Sequence, residues 1–322
     1  MRRALAGCLM FGTLLCAQTA GVRPAGRIAL DGVRGRIDHL AVDEAGRRLF
    51  VAALGNNSVE AIDLAAGHRV KSLPGLKEAQ GLVYVASRQR LYVACGGDGR
   101  VHVFDTAKWS EIASVAVGDD ADNVRYDAAR HRVWVGHDGG LTQLDEDGQV
   151  RAKVALSAHP ESFQLAADGS RLFVNIPHSR KLSVVDLNAL KVIADWPAHE
   201  ALSNYALALD SATQRLFTVY RLPARLAAMN SQTGALISKS PTIGDCDDIF
   251  YDAVRKRLYV IGGDGGIAIV RDDGAALTET ARVAIPRGAR TGLFVPGMNR
   301  LFVAVRAAEG QGAAILTFDV LP

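Results

Sequence analysis

Seven dipeptides recur along the chain at nearly equal distances: Asp38-His39, Gln80-Gly81, Asp122-Asn123, Glu161-Ser162, Tyr205-Ala206, Asp247-Asp248 and Arg290-Thr291. Their first members are 42, 42, 39, 44, 42 and 43 residues apart. Four of the seven first positions are acidic, and His39, Asn123 and Asp248 add polar groups from the second. Brought to one place, Asp38, His39, Asp122, Asn123, Glu161, Asp247, Asp248 and Arg290 would line a polar cup. Oxygen-rich sets of this kind suit a hard cation such as Ca²⁺ or Mg²⁺, and an imidazole lets a transition metal compete. The same groups suit a cationic or polyhydroxylated small molecule. The competing reading is that they cap strand entries by bonding nearby backbone amides and line a water-filled channel. No cofactor is expected beyond a divalent cation that such a set would admit, and no catalytic residue is assigned.

Other chemistry-bearing residues form no pattern. His68, His102, His131, His159 and His199 show no metal-type pairing in sequence. His137, His178 and Arg221 fall where second-to-third-strand loops are expected and read as solvated loop residues. G-x-S-x-G, H-E-x-x-H, P-loop, G-x-G-x-x-G and C-x-x-C-H patterns are all missing. Trp109, Trp134 and Trp196 read as packing.

Seven short elements must carry the seven dipeptides. A strand motif, Arg-Leu-Phe-Val-Ala or a close variant, has its apolar anchor at Leu49, Leu91, Val133, Leu172, Leu216, Leu258 and Leu301, with the same intervals. Seven copies at this period indicate propeller blades of four strands each. In the first unit, residues 36–43 read as an inner strand, 49–53 as the second, 59–63 as the third and 68–73 as the outer. Gly55-Asn56-Asn57 supplies a turn that tolerates positive φ. Aspartates close the third strand at Asp63, Asp105, Asp145, Asp186 and Asp319, with Asn230 as a substitute and Arg271 breaking the pattern. The last unit stops after residues 313–320, so residues 26–33 are expected to supply its outer strand and close the ring, which removes a sheet edge. The fold class expected is all-β, a seven-bladed β-propeller with the N-terminal strand completing the last blade.

The segments LFVA at 49–52, GNNSV at 55–59, LYVACGGDGRVHVFD at 91–105 and LYVIGGDGGIAIV at 258–270 resemble the repeat of YVTN-type, YncE-like bacterial propellers. The resemblance covers Arg36 to Val320. It implies export in bacteria, a disc with a central tunnel, and roles in surface, envelope or ligand binding, without a shared catalytic set. The fifth unit departs from it, because residues 216–223 lack the Gly/Asn turn.

Composition bounds the remaining possibilities. The chain has 322 residues with a formal net charge of +3, and Arg2 and Arg3 account for two of the positives. No basic stripe remains, which argues against nucleic acid. Arg2 and Arg3, the apolar run from Ala4 to Ala17 and the small residues after it read as a cleaved signal peptide over residues 1–20. That run is too short to anchor in a membrane, so no integral membrane segment is expected in the mature chain. Cys8 and Cys16 sit in poor lipobox contexts. Residues 21–322 are then one domain, periplasmic or secreted. Cys95 and Cys246 fall in non-adjacent blades, too far apart for a disulfide. The expected role is binding or scaffolding, with a small molecule, an envelope protein or a polysaccharide as partner. The alternative is a metal-dependent lactonase-like hydrolase using the acidic cup. A redox propeller with a quinone or haem is a third reading.

Overall fold

The computed structural model describes residues 21–198 and 201–322. The expected leader, residues 1–20, and His199 lie outside them. Among the described residues, the strands form seven four-stranded antiparallel sheets, with only short 3₁₀ turns between. Blade 1 runs Leu40–Asp43, Arg48–Ala53, Ser58–Asp63 and His68–Pro74 from hub to rim. Blades 2 to 6 begin with inner strands Ala79–Val85, Val124–Asp127, Phe163–Leu165, Leu202–Asp210 and Cys246–Asp252. Blade 7 begins at Gly292–Val295, and its outer strand is Val22–Ala29 from the other end of the chain. The architecture is the seven-bladed propeller that the repeat calls for.

Ring closure uses an earlier segment than residues 26–33. Pairing runs from Val22↔Val320 to Ala29↔Ala314, and Leu30 N donates to the Ala313 carbonyl. Val33 then folds back onto Leu30 in a turn. Ile28, Leu30, Val33 and Ile37 are buried with Leu40, Leu49, Phe302 and Ile315, so one apolar cluster welds blade 7 to blade 1. The inner strand of blade 1 is also shorter than residues 36–43. It begins at Leu40. Asp38 N and Ala52 N still bond the Ala52 and His39 carbonyls, so the entry residues are held without joining the regular ladder.

The repeated side chains explain why the blades look alike. The arginine that opens each second strand faces the residue that closes the third: Arg48↔Asp63, Arg90↔Asp105, Arg132↔Asp145 and Arg171↔Asp186. Asp63 Oδ1 accepts from the Ala65 and Ala66 amides, and Asp105, Asp186 and Asn230 make the same turn bonds. In blade 6 the role slides two places: Arg271 faces Arg257, and Asp273 accepts from Ala275 and Ala276. Asp319 makes no such turn and pairs with Arg23 and Arg300.

Adjacent blades bury the anchors between them. Leu49, Leu91, Val133, Leu172, Leu216, Leu258 and Leu301 are all 0% exposed. Trp134 is fully buried, while Trp109 packs on Phe50 and Trp196 on Phe173. The outer strand of every blade carries a bulge. In blades 1, 2, 4 and 5 the residue left out of register is Val70, Ile112, Ile193 or Ile237, each turned outward and exposed. Bulges twist an edge away from further pairing, which protects the rim of an open disc. In blade 5, the second and third strands run as Arg215–Leu222 and Ala224–Asn230 with almost no loop between them. That extension carries Arg221 inward.

Candidate functional site

The hub is built where seven inner strands converge. Its side chains come from the irregular residues that enter those strands. His39 of blade 1 reaches across to two other blades: Nδ1 lies 3.5 Å from Asp248 Oδ2 in blade 6, and Nε2 lies 4.0 Å from Asp122 Oδ1 in blade 3. Asp248 Oδ2 also accepts from the Gly292 amide of blade 7 at 2.9 Å. Asp38 accepts from Arg36 at 3.1 Å. Asp247 is gripped by Arg221 of blade 5 and by Arg290, whose Nε is 2.5 Å from Asp247 Oδ2. Arg290 also bonds Asp245 at 2.9 Å, and the Arg221 guanidinium lies over the Tyr205 ring, 3.7 Å from its centroid. Gln80 donates to Asp120 at 3.0 Å. Gly81 is glycine for a steric reason: a Cβ there would run into the Asp122 carbonyl.

Asp38, His39, Asp122, Asp247, Asp248 and Arg290 are thus brought together. Glu161 joins them electrostatically: burial raises its pKa most, Asp122, Asp247 and Asp38 push it further, and Arg221 pulls it down. Asn123 lies buried beside Asp122, with its Oδ1 lacking a hydrogen-bond partner. The hub is not simply acidic, however. Arg36, Arg125, Arg221 and the His39 ring stand against the carboxylates. Arg36 and Arg125 stand two residues from the chosen dipeptides and were not selected on sequence. Tyr205 stood in the aligned column without being chosen, and Arg221 was read as a solvated loop residue. The signal that points to both is the missing turn of the fifth unit. His137 is not solvated either: it is buried, with Nε2 2.9 Å from Thr142 Oγ1, whereas His178 is exposed.

Electrostatics separates the paired acids from the unpaired ones. Burial pulls the His39 pKa down, but Asp248, Asp38 and Asp122 outweigh it and lift the ring to about 10, so it is charged at neutral pH. Burial raises Asp247, and Arg221 and Arg290 hold it to about 6. Asp122 rises to about 7, through burial and Asp38 first, with His39 only partly offsetting them. Glu161 rises furthest, to about 9, again through burial first. Desolvation disfavours a carboxylate unless a partner cation is close. Asp122 Oδ1 is buried without a hydrogen bond. Asp122 and Glu161 therefore face the hub as acids that lack a partner of their own.

Two predictions about sulfur and histidine fare differently. Cys95 and Cys246 are free and buried. His102 is not isolated, because Cys95 and Asp98 lie beside it.

No family model and no curated protein matches the chain. Among solved structures, it is similar to a chain of a crystal structure titled as a mitotic checkpoint complex, with a TM-score of 0.77 at 15% identity over 98% of both chains. It is also similar to a chain of Kuenenia stuttgartiensis hydrazine synthase, with a TM-score of 0.75 at 16% identity over 88% of this chain and 99% of that one. Likeness at such identity shows the propeller fold and nothing finer. Seven-bladed propellers commonly serve as binding or scaffold proteins, and the site decides what is bound. No helix among the described residues is long and apolar enough to cross a membrane.

Proposed function

We propose that the chain is an exported binding protein of the YVTN-type repeat family, periplasmic or secreted, whose hub takes a small organic cation. One observation carries the reading: Asp122 Oδ1 is buried at the hub without a hydrogen-bond partner, and burial lifts the Glu161 and Asp122 carboxyls to about 9 and about 7. A positively charged ligand would displace those protons and supply the missing partner. Asp38, Asp247 and Asp248 already hold Arg36, Arg221 with Arg290, and His39 with the Gly292 amide. What is left unpaired suits an ammonium group and its hydrogen-bond donors better than the six to eight oxygens that Ca²⁺ wants. Mixed-charge surroundings also fit a ligand that carries hydroxyl or carboxylate groups beside its cation.

The test is calorimetry on the exported protein, with its intact mass reporting removal of residues 1–20. Putrescine and spermidine are titrated in buffers of different ionisation enthalpy. Expected are proton release on binding, affinity rising from about pH 6 to about pH 9, and loss of binding in Glu161→Gln with Asp122→Asn. Binding of neither amine, or binding that ignores the double variant, would remove the hub as a cation site. Tight binding of Ca²⁺ or Mg²⁺ with turnover of a lactone would favour the hydrolase reading instead.

A further inference from the structure

A second cluster lies on blade 2 and shares no residue with the hub network. Cys95 ends that blade's second strand, Arg90–Cys95, and His102 sits in its third, Arg100–Asp105. Register pairs Val93 with His102 and Cys95 with Arg100. Strand side chains alternate between faces, so the Cys95 thiol and the His102 ring share the face turned toward blade 1. The hairpin between them bends Asp98 back over both. One ligand-capable atom from each of Cys95, Asp98 and His102 lies within 4.8 Å of the others. Cys95 sits in apolar surroundings, with Val59, Leu73, Leu76, Ala79 and Val93 in the same cluster, and its cross-strand neighbour Arg100 is turned to Ser114.

The polar bonds within the cluster have a direction. His102 Nε2 is 3.3 Å from Asp98 Oδ2, and His102 Nδ1 is 2.9 Å from Glu111 Oε1. Glu111 reaches the ring because of the outer-strand bulge. The register jumps from Val103↔Ala113 to Phe104↔Glu111, which sets Glu111 on the His102 face and turns Ile112 outward. A proton on Nδ1 donated to Glu111 leaves the Nε2 lone pair aimed at Asp98. Asp98 Oδ1 is buried with no hydrogen-bond partner. A lone pair, a carboxylate with one buried oxygen left unbonded and a thiol at 0% exposure converge at the edge of an apolar seam and call for a cation among them. A carboxylate that orients the far nitrogen of a ligating histidine is the usual outer shell of a zinc site.

We propose that Cys95, Asp98 and His102 bind a transition metal ion of the Zn²⁺ class, with Glu111 as the residue that orients the His102 ring. Thiolate, imidazole and carboxylate are ligands that Zn²⁺ accepts, and three of them leave one tetrahedral position for water or another ligand. On binding, the thiol proton passes to solvent and the sulfur lone pair forms the metal bond. No oxidation state changes. The site is independent of the hub proposal.

Co²⁺ is the probe, because its thiolate complexes absorb in the near ultraviolet and its low-symmetry complexes absorb strongly in the visible. The purified chain is stripped with chelator and titrated. Expected are one Co²⁺ per chain with a sulfur charge-transfer band, and displacement of that band by Zn²⁺. Cys95→Ser abolishes the band, and Cys246→Ser keeps it. Glu111→Gln keeps the band but weakens Co²⁺ binding about tenfold to a hundredfold. Asp122→Asn at the hub changes nothing here. Circular dichroism confirms that each variant is folded, and Asp98→Asn provides a second ligand deletion should Cys95→Ser unfold. Absence of the band, or its survival in Cys95→Ser and Asp98→Asn, would overturn the assignment and leave His102 as a hydrogen-bond bridge between Asp98 and Glu111.

Discussion

The seams between blades and the hub they enclose obey opposite rules. In the seams, equivalent positions of the seven repeats carry equivalent residues, and the anchors from Leu49 to Leu301 are all fully buried. At the hub, equivalent positions mix acids with Gln80, Tyr205 and Arg290, and hub residues touch across the ring: His39 of blade 1 meets Asp248 of blade 6 and Asp122 of blade 3. Burying apolar area is non-directional, so one solution can be repeated around a ring. Satisfying buried charge is directional and pairwise, so the acids that recur in one column, Asp38, Asp122, Glu161 and Asp247, meet different surroundings: Arg36 for Asp38, Arg221 with Arg290 for Asp247. Repetition makes the scaffold, and departure from it makes the site.

The sharpest way to break this contrast is to open the ring at its seam. Deleting Val22–Ala29 uncovers the edge of the Ala314–Val320 strand and part of the cluster around Ile28 and Leu30. Melting should fall by more than about 10 °C, since a domain of this size loses roughly 2–4 °C per kcal/mol. Ile28→Asp should act in the same direction, and an unchanged melting curve in both would mean that closure adds nothing.

A middle-sized effect is expected at the hub. His39→Gln leaves Asp248 buried without its cation and takes from Asp122 the charge that partly offsets its burial, which costs about 3 kcal/mol near pH 7. The pH dependence has a definite sign. Lifted to about 10, His39 contributes stability that is complete below its ordinary value of 6.5 and lost as pH rises through about 10. Asp122 and Glu161 act in the same sense, because the folded chain keeps their protons to about 7 and about 9 while the unfolded chain releases them near their ordinary values. Denaturant melts of the wild type should show stability falling from pH 6 to pH 10, with the gap to His39→Gln closing toward pH 10. A wild type that gains stability over that range would contradict the charged bridge.

The smallest effect belongs on the rim. Arg282 and Glu279 form a two-bonded pair on an outer strand, half in solvent. Arg282→Ala should cost no more than about 0.5 kcal/mol and should be indifferent to hub ligands, as exposed pairs are. A loss comparable to that of His39→Gln would blur the distinction between hub and rim.

The sequence by itself determined the period, the blade count and the face on which each anchor is buried, because alternation and turn chemistry act over a few residues and are written seven times. It also placed the inner-strand entries in one column, so most hub acids were legible before any coordinates. It did not give the strand limits at the two ends of the ring, where pairing between distant segments sets the register from Val22↔Val320 onward. Nor did it show which acids have partners. The cations that answer them come from other blades: packing of blade 5 on blade 6 brings Arg221 to Asp247, and ring closure brings His39 of blade 1 within reach of Asp248. The cluster of Cys95, Asp98 and His102 escaped notice for a related reason: a hairpin register and an outer-strand bulge assemble it with Glu111, and neither is visible in residue spacing.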